Sequence, residues 1–302
     1  MLMRQSFQWN LGRRSLELGR RTLVMGIVNV TPDSFSDGGH FLSPERALER
    51  ALQLLGEGAD ILDLGGESTH PGAAALGVRQ EQDRVLPVIE AVKREHPEAV
   101  ISIDTYKAET AVAAVEAGVE IVNDVSGLMW DAAMPAAIAG LGCGAVLMHT
   151  RGTPVEWNSL PPEPDPVSLV LRGLTNSAGL AGRAGIASER LVLDPGFGFG
   201  KRFDENYPLL AHLGTFAQLG YPLLVGTSRK AFIGRTVAGR LAELGIWHPS
   251  AEMPMLPPSE RLSGTLATVV AAVLHGAHIV RVHDVRPAVE AVAIADAVLA
   301  VT

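Results

Sequence analysis

Hydrogen-bond acceptors follow several short apolar runs, at the points where those runs end. Asp104 and Asp194 each end one run, and Asn123 is the next-to-last residue of another. Carboxylate and amide oxygens suit a flat heterocycle with a donor-rich edge, such as a pyrimidinone that carries an amino group. One such Asp alone more often caps the helix that follows it, but three acceptors at three run ends favour ligand binding.

Cationic residues gather late in the chain. Arg281 and His283 are two positions apart, so on a strand their side chains share one face. Ser228-Arg229-Lys230 lies where a helix is expected to begin. These groups predict a phosphate or diphosphate site, although Arg229 alone could equally pair with a surface acid.

Three further segments are rich in glycine. The segment Gly196-Phe197-Gly198-Phe199-Gly200-Lys201 differs from a nucleotide-binding phosphate loop in glycine spacing and in its next residue. It predicts a flexible loop that carries Phe199 and Lys201 over the site. Segments 31–39 and 65–72 combine glycines with hydroxyl side chains and suit lids over a substrate. Histidine and cysteine spacing indicates no zinc site, whereas Mg²⁺ needs few protein ligands beside phosphate oxygens.

Eight β-like runs alternate with segments of helical period and position these residues. The runs are Leu23–Val30, Asp60–Leu64, Val100–Asp104, Glu120–Asp124, Gly144–His149, Leu191–Asp194, Leu223–Thr227 and His278–His283. The alternation predicts an α/β protein whose single domain is a (β/α)8 TIM barrel. The alternative, an open doubly wound sheet, would carry a glycine-rich dinucleotide turn after its first strand, and that turn is missing from the sequence. In a barrel the run ends ring one mouth, where active sites of this fold lie.

Other segments lie outside the eight units. Residues 6–21 read as a β-hairpin at the bottom of the barrel, which divides the chain into an extension, 1–21, and a barrel, 22–302. Residues 151–166, rich in proline and acidic groups, predict a surface loop. Residues 240–258 carry four prolines and predict an insertion before the seventh helix.

Composition excludes several classes of protein. Of the 302 residues, 47% are hydrophobic and only 5% aromatic, which suits a Val-, Leu-, Ile- and Ala-rich core of parallel strands. A net charge of −8 without a basic run argues against a nucleic-acid partner. Residues 1–11 lack the apolar core of a signal peptide, and no stretch is apolar enough to span a membrane. Together with the lone Cys143, interpreted as a small buried hydrophobe, these features predict a cytoplasmic enzyme with no membrane partner.

These segments together closely resemble the dihydropteroate synthase family of folate biosynthesis. The matching segments cover roughly residues 22–300 and occur in the family's order: 25–39, 65–69, 102–107, 194–201, 228–230 and 281–284. The resemblance implies condensation of p-aminobenzoate with 6-hydroxymethyl-7,8-dihydropterin diphosphate, with release of pyrophosphate. It also implies small-molecule substrates, Mg²⁺ as the cofactor and a homodimer, for which the apolar segment 262–274 is a candidate contact.

The resemblance implies a role for each site residue. Asp104, Asn123, Asp194 and Lys230 would hold the pterin ring. Arg281, His283 and Thr69 would hold the diphosphate, and Asn29 would bind Mg²⁺. Ser228 and Phe199 would lie near p-aminobenzoate, beside Lys230. Within this set, Lys230, Asp194, Arg281 and His283 are the predicted catalytic residues.

One position departs from the family pattern. His70 stands where the family usually has arginine, and a histidine is mostly neutral at pH 7. We therefore expect a weaker diphosphate contact from this loop, strengthened below about pH 6.5 when the imidazole is protonated.

Two alternative functions share part of this pattern. A pterin-dependent methyltransferase domain would use the same acceptors, but its pterin has no diphosphate for Arg281 and His283 to bind. A non-catalytic pterin-binding paralogue is disfavoured by the retained loop residues Asn29, Asp33 and Thr69, although His70 keeps that alternative open.

Overall fold

Eight parallel strands form the centre of the molecule. The structure is a computed structural model that describes residues 4–31, 44–67, 75–250 and 253–301. In chain order the barrel strands are β3 (Leu23–Asn29), β4 (Ile61–Gly65), β5 (Val100–Asp104), β6 (Ile121–Asp124), β7 (Gly144–Met148), β8 (Leu191–Asp194), β9 (Leu224–Val225) and β10 (Ile279–Val282). They follow the order β8-β7-β6-β5-β4-β3-β10-β9, and a parallel bridge between Leu193 and Leu223 links the two outer strands. The predicted (β/α)8 barrel is confirmed.

Helices follow the strands and cover the barrel from outside. They are α1 (Pro44–Gly56), α2 (Val78–Glu95), α3 (Ala108–Glu116), α4 (Met134–Leu141), α5 (Pro166–Arg183), α6 (Asn206–Ala211), α7 (Leu213–Ala217), α8 (Ala231–Glu243), α9 (Leu262–Leu274) and α10 (Val285–Leu299). Helical spacing explains the covering: Val85, Val88, Ile89 and Val92 of α2 lie on one face and are fully buried. Within the described residues, no helix has the length and apolar character needed to cross a bilayer.

An antiparallel hairpin closes the bottom of the barrel, as predicted. It consists of β1 (Phe7–Asn10) and β2 (Ser15–Leu18). Trp9 and Leu11 are buried against side chains at or near the starts of the barrel strands, and the Trp9 indole donates to the Arg190 carbonyl at 2.9 Å. Gly144 permits the close packing, because a Cβ there would lie 2.4 Å from Leu11. The division of the chain into domains at residue 21 stays a prediction.

The seventh strand is shorter than the sequence predicts. β9 contains only Leu224 and Val225. After it the chain turns, with the Lys230 amide donating to the Thr227 carbonyl at 3.1 Å and Arg229 at a φ of +58°. The residues that follow Val225 therefore form a site loop instead of a longer strand.

Two segments differ from their predictions. The expectation that 240–258 precedes the seventh helix is wrong: α8 already occupies that place, and the segment after Glu243 joins α8 to α9. Segment 151–166 does contain turns, but it is more than a surface loop. Its Trp157 is 8% exposed and packs edge-on against Phe199, with ring centroids 5.2 Å apart.

Candidate active site at the mouth of the barrel

Three acceptors line the upper interior of the barrel. Asp104 and Asn123 are register partners at the ends of β5 and β6, and Asp194 ends β8. Asp194 accepts a hydrogen bond from the Gly196 amide at 2.7 Å, which holds the following loop to the end of its own strand.

A further buried carboxylate lies below them. Asp63 is fully buried on β4, and its Oδ2 accepts from Asn123 Nδ2 at 3.0 Å and from Arg281 Nε at 2.6 Å. Asp63 was not among the predicted site residues, because it lies within a strand and not at its end. The available signal was a carboxylate within the apolar run Ile61-Leu62-Asp63-Leu64.

Arg281 lies between two of these carboxylates. Its guanidinium bridges Asp63 and Asp104, with Nη2 lying 2.7 Å from Asp104 Oδ2. In this arrangement Arg281 lies on the acceptor side of the site and offsets the charge of its carboxylates.

Burial shifts the proton equilibria of the site. Burial raises the pKa of Asp104 to about 7, against the lowering effect of Arg281, and raises the pKa of Asp194 to about 6. Burial likewise lowers the pKa of Lys230 to about 8, helped by the neighbouring charge of Arg281. Asp104, Asp194 and Lys230 therefore titrate close to neutral pH, as groups at functional sites often do.

Lys230 stands beside an aromatic side chain. It is the residue immediately before α8, and its Nζ lies 3.9 Å from the centre of the Phe199 ring. Gly198, at a φ of +80°, leaves room for this contact, because a Cβ there would lie 3.2 Å from Lys230 Cδ. Lys230, Phe199 and Trp157 thus form one wall of the mouth.

Ser228, two residues before Lys230, contacts His283, which directly follows β10. Ser228 Oγ lies 2.9 Å from His283 Nδ1 and accepts from the His283 amide at 3.2 Å. Burial, followed by the charges of Arg229 and Arg281, lowers the pKa of His283 to about 3. His283 is therefore a neutral hydrogen-bonding group at physiological pH.

Two cations that the sequence suggested for ligand contact serve the framework instead. Arg229 forms a two-point ion pair with Asp284, at 3.0 and 2.6 Å. This confirms the alternative interpretation, in which Arg229 pairs with an acidic residue instead of a phosphate. The expectation that Lys201 lies over the mouth is wrong. Lys201 is 6% exposed, and its ammonium donates to the carbonyls of His149, Gly196 and Phe199, because the curled glycine loop directs those carbonyls inward.

The remaining predicted residues belong to the end of β3 and to the parts of the chain that follow β3 and β4. Asn29 ends β3 and is exposed, next to Gly65 of β4. Thr69, His70 and most of segment 31–39 lie outside the described residues. Across residues 4–31, 44–67, 75–250 and 253–301, no group of three His, Cys, Asp or Glu side chains could hold a metal ion.

A second polar cluster supports the end of β4. Lys107 Nζ contacts Glu67 and lies 3.0 Å from Glu81 of α2, which is 1% exposed. Tyr106 also donates to Glu67, at 3.1 Å. No role was predicted for these residues from the sequence, since charged residues scattered over two loops and a helix give no local pattern.

The site can therefore hold a flat, donor-bearing ring between acceptors and Lys230, with hydrogen-bonding groups nearby for an anionic substituent. Carboxylates stabilise positive charge that develops on such a ring, and cations stabilise negative charge on a departing group. The structure brings together Asp104, Asn123, Asp194, Lys230 and Arg281, while their individual roles stay predictions.

Comparison with known proteins identifies close relatives. The family model described as "Pterin binding enzyme" matches residues 25–283. The dihydropteroate synthase of Escherichia coli is 45% identical over 276 residues, which cover 91% of each chain. A structure of Xanthomonas albilineans dihydropteroate synthase with 4-aminobenzoic acid has a TM-score of 0.86 at 42% identity and covers 99% of this chain and 100% of the other. The same enzyme in complex with 7,8-dihydropteroate has a TM-score of 0.80 at 40% identity, covering 95% and 97%.

Proposed function

Since this chain belongs to the family of pterin-binding enzymes, we propose that it catalyses the dihydropteroate synthase reaction. The amine of p-aminobenzoate displaces the diphosphate of 6-hydroxymethyl-7,8-dihydropterin diphosphate, which gives 7,8-dihydropteroate and pyrophosphate. The observation that carries this assignment is the grouping of Asp104, Asn123 and Asp194 with Arg281 and Lys230 at one mouth.

The ring of the dihydropterin would lie against the acceptors. Its amino group and ring N–H groups are donors, and the oxygens of Asp104, Asn123 and Asp194 accept from them. Lys230 donates to an acceptor of the ring. The p-aminobenzoate would bind on the other side of Lys230, beside Phe199 and Ser228. The cation–π contact of Lys230 with Phe199 supports this shared wall.

The reaction breaks the bond between the pterin methylene carbon and the diphosphate oxygen. Positive charge that grows on the pterinylmethyl group is stabilised by Asp194 and Asp104, and negative charge on the leaving diphosphate by Arg281. His283, neutral at its low pKa, donates or accepts a hydrogen bond there without adding charge. The neutral arylamine nitrogen forms the new C–N bond and becomes positively charged. It then releases its proton to solvent or to the departing pyrophosphate, so a strong base is not needed.

Mg²⁺ is the proposed cofactor. The amide oxygen of Asn29 is a hard donor of the kind that Mg²⁺ prefers, and the exposed position of Asn29 at the end of β3 leaves it accessible to a diphosphate. When bound, the ion would supply charge neutralisation of the leaving group. Thr69 completes the proposed diphosphate ligands.

A pyrophosphate-release assay with both substrates tests the proposal. We expect pyrophosphate to form only when p-aminobenzoate and the pterin diphosphate are both present, with an equal amount of dihydropteroate detected by mass spectrometry. Binding of the pterin without turnover would favour the non-catalytic alternative. Pyrophosphate release that ignores p-aminobenzoate would indicate hydrolysis, and either result contradicts the proposed function.

A homodimer in the cytoplasm is the proposed state of the enzyme. Large apolar side chains are exposed along α10, at Ile294 and Val298, and after α8, at Leu244 and Ile246. These positions favour α10 and the α8–α9 connection over the face of 262–274 as the contact. Light scattering measures the molar mass of the wild-type protein and of Ile294→Glu in solution. A monomeric wild type would contradict the dimer.

The cytoplasm is the proposed location because the free thiol of Cys143 is buried and unpaired with another cysteine, which supports a reducing compartment.

A further inference from the structure

Asp63 does not reach the surface of the cleft, yet it contacts two residues that line it. It is fully buried, and a single oxygen, Oδ2, accepts from both Asn123 Nδ2 and Arg281 Nε. The carboxylate pairs with a permanently charged guanidinium, so Oδ2 can only accept hydrogen bonds.

This contact determines which way the Asn123 amide faces. Only the NH₂ end of the amide can approach an acceptor, so Nδ2 must point toward Asp63 and Oδ1 must point away from it. One N–H of Asn123 is used by Asp63. The carbonyl oxygen and the second N–H then form a donor–acceptor pair in a fixed order.

The order of that pair matters for the ring that the cleft accepts. A 2-amino-4-oxo ring presents a donor at its amino group next to an acceptor at the adjoining ring nitrogen. In a 2,4-dioxo ring the two are reversed, because C2 carries a carbonyl and the adjoining nitrogen carries hydrogen. An amide in one fixed orientation matches only one of these edges, whereas a freely turning amide matches either.

We propose that Asp63 is a positioning residue that locks the Asn123 amide and thereby selects 2-amino-4-oxo pteridines over 2,4-dioxo pteridines. The inference rests on the proposed function in so far as the cleft binds a pterin ring. It adds that the choice between an amino group and a carbonyl at C2 of the ring depends on Asp63, which does not contact the substrate. A simpler role for Asp63, neutralising Arg281, would leave the selectivity of the cleft unchanged.

Calorimetric binding of two probes separates these roles: 6-hydroxymethylpterin and the corresponding 2,4-dioxopteridine. Wild-type protein should prefer the first probe by at least about 100-fold, since mismatched buried hydrogen-bonding groups are strongly penalised. Asp63→Leu removes the acceptor and should reduce that preference at least about tenfold, chiefly by improving relative binding of the dioxo ring. Asp63→Asn retains an acceptor oxygen and should keep most of the preference.

Ser102→Ala is the matched control. Ser102 is fully buried on β5 as the register partner of Asp63. The variant therefore alters the barrel interior at the same level but keeps the hydrogen bond from Asn123 to Asp63. Its probe preference should equal that of the wild type. If Asp63→Leu weakens both probes by the same factor, Asp63 only offsets the charge of Arg281 and the proposal is overturned.

A measurement on the wild type covers the case in which Asp63→Leu fails to fold. The side-chain amide protons of Asn123, assigned by their loss in Asn123→Asp, should exchange slowly with solvent in ¹⁵N-labelled protein. Rapid exchange of these amide protons, together with equal affinity for the two probes, would refute the proposal that Asp63 fixes the orientation of the Asn123 amide. Because these readouts concern binding, they are independent of whether the enzyme forms dihydropteroate.

Discussion

The functional carboxylates of this protein differ from surface carboxylates chiefly in their burial. Asp194 is 4% exposed and lies near Lys201, Lys230 and Arg281, whose charges oppose the effect of burial on its pKa. A buried, ionised carboxylate makes stronger hydrogen bonds to donors than an amide does. Its charge should therefore be measurable in substrate binding.

We expect Asp194→Asn to lower kcat/KM for the pterin diphosphate about 100-fold, equivalent to ~2.7 kcal/mol. The amide can still accept from the Gly196 N–H, so the loop should keep its place while the charge is lost. Steady-state kinetics with p-aminobenzoate saturating will measure the change. Asp124→Asn is the matched control: Asp124 is buried at the end of β6, but its oxygens serve Ser126 and Leu128. An Asp194→Asn enzyme with wild-type kcat/KM would refute the assigned ring contact.

The same groups predict a bell-shaped pH profile of kcat/KM for the pterin diphosphate. Asp194 and Asp104, with pKa values of about 6 and about 7, accept from the ring N–H groups with both oxygens only when ionised, so activity falls as pH drops through that range. Arg281, Asp63, Glu81 and Lys230 are the charges that act on Asp104. Lys230, with a pKa of about 8, must be protonated, so activity also falls as pH rises past that value.

Lys230→Arg provides the check on the alkaline limb. Arginine stays charged at every accessible pH, so the variant should lose the decline above about pH 8 even if its maximum activity is lower. An unchanged alkaline limb in Lys230→Arg would assign that limb to another group.

At the scale of elements, Lys107 ties the end of β4 to α2. Its ammonium lies between Glu67 and the buried Glu81, and Thr110 of α3 also donates to Glu81, at 2.8 Å. Removing one partner of a buried ion pair leaves an uncompensated charge, which costs far more than breaking a surface pair. This cluster therefore stabilises the C-terminal end of β4.

Lys107→Met should reduce the free energy of unfolding by about 3 kcal/mol, measured by urea denaturation. Arg240→Met serves as the surface comparison, because Arg240 and Glu243 form an ion pair with side chains 69% and 68% exposed. That variant should change stability by no more than about 0.5 kcal/mol. Equal effects of the two substitutions would show that the Lys107 cluster is not structurally important.

At the scale of the whole molecule, stability and chemistry lie at opposite ends of the barrel. The hairpin and the strand starts form an apolar layer at the bottom, and the charged residues lie at the strand ends. Such a separation lets one end be altered without disturbing the other.

Trp9→Ala tests this separation. The indole is 1% exposed and fills the bottom of the barrel, so its loss should lower the free energy of unfolding by about 3 to 5 kcal/mol. Activity measured well below the unfolding temperature should stay within about twofold of wild type, since Trp9 packs in the apolar layer at the end of the barrel opposite the mouth. A large loss of kcat/KM in a folded Trp9→Ala protein would show that the bottom layer determines the shape of the mouth.

Local patterns determined the order of elements and the set of residues at the mouth. Alternation of apolar runs and helical periods is written in neighbouring residues, so the strands from Leu23–Asn29 to Ile279–Val282 were predictable within one or a few residues. The same patterns identified Asp104, Asn123, Asp194, Arg281 and His283 as strand-end residues, and Lys230 as a residue at the start of a helix. Chemistry that depends on residue type at a strand end can be predicted this way.

Tertiary structure alone decided the partners of those side chains. Arg281 and Asp63 are 218 positions apart, and they meet only because β10 and β4 flank β3 on a closed barrel. The burial of Lys201, the pairing of Arg229 with Asp284 and the contact of Trp157 with Phe199 likewise depend on how loops fold over one another. Sequence determines which groups are available near the mouth; the packing of distant segments determines which of them face a ligand and which neutralise each other.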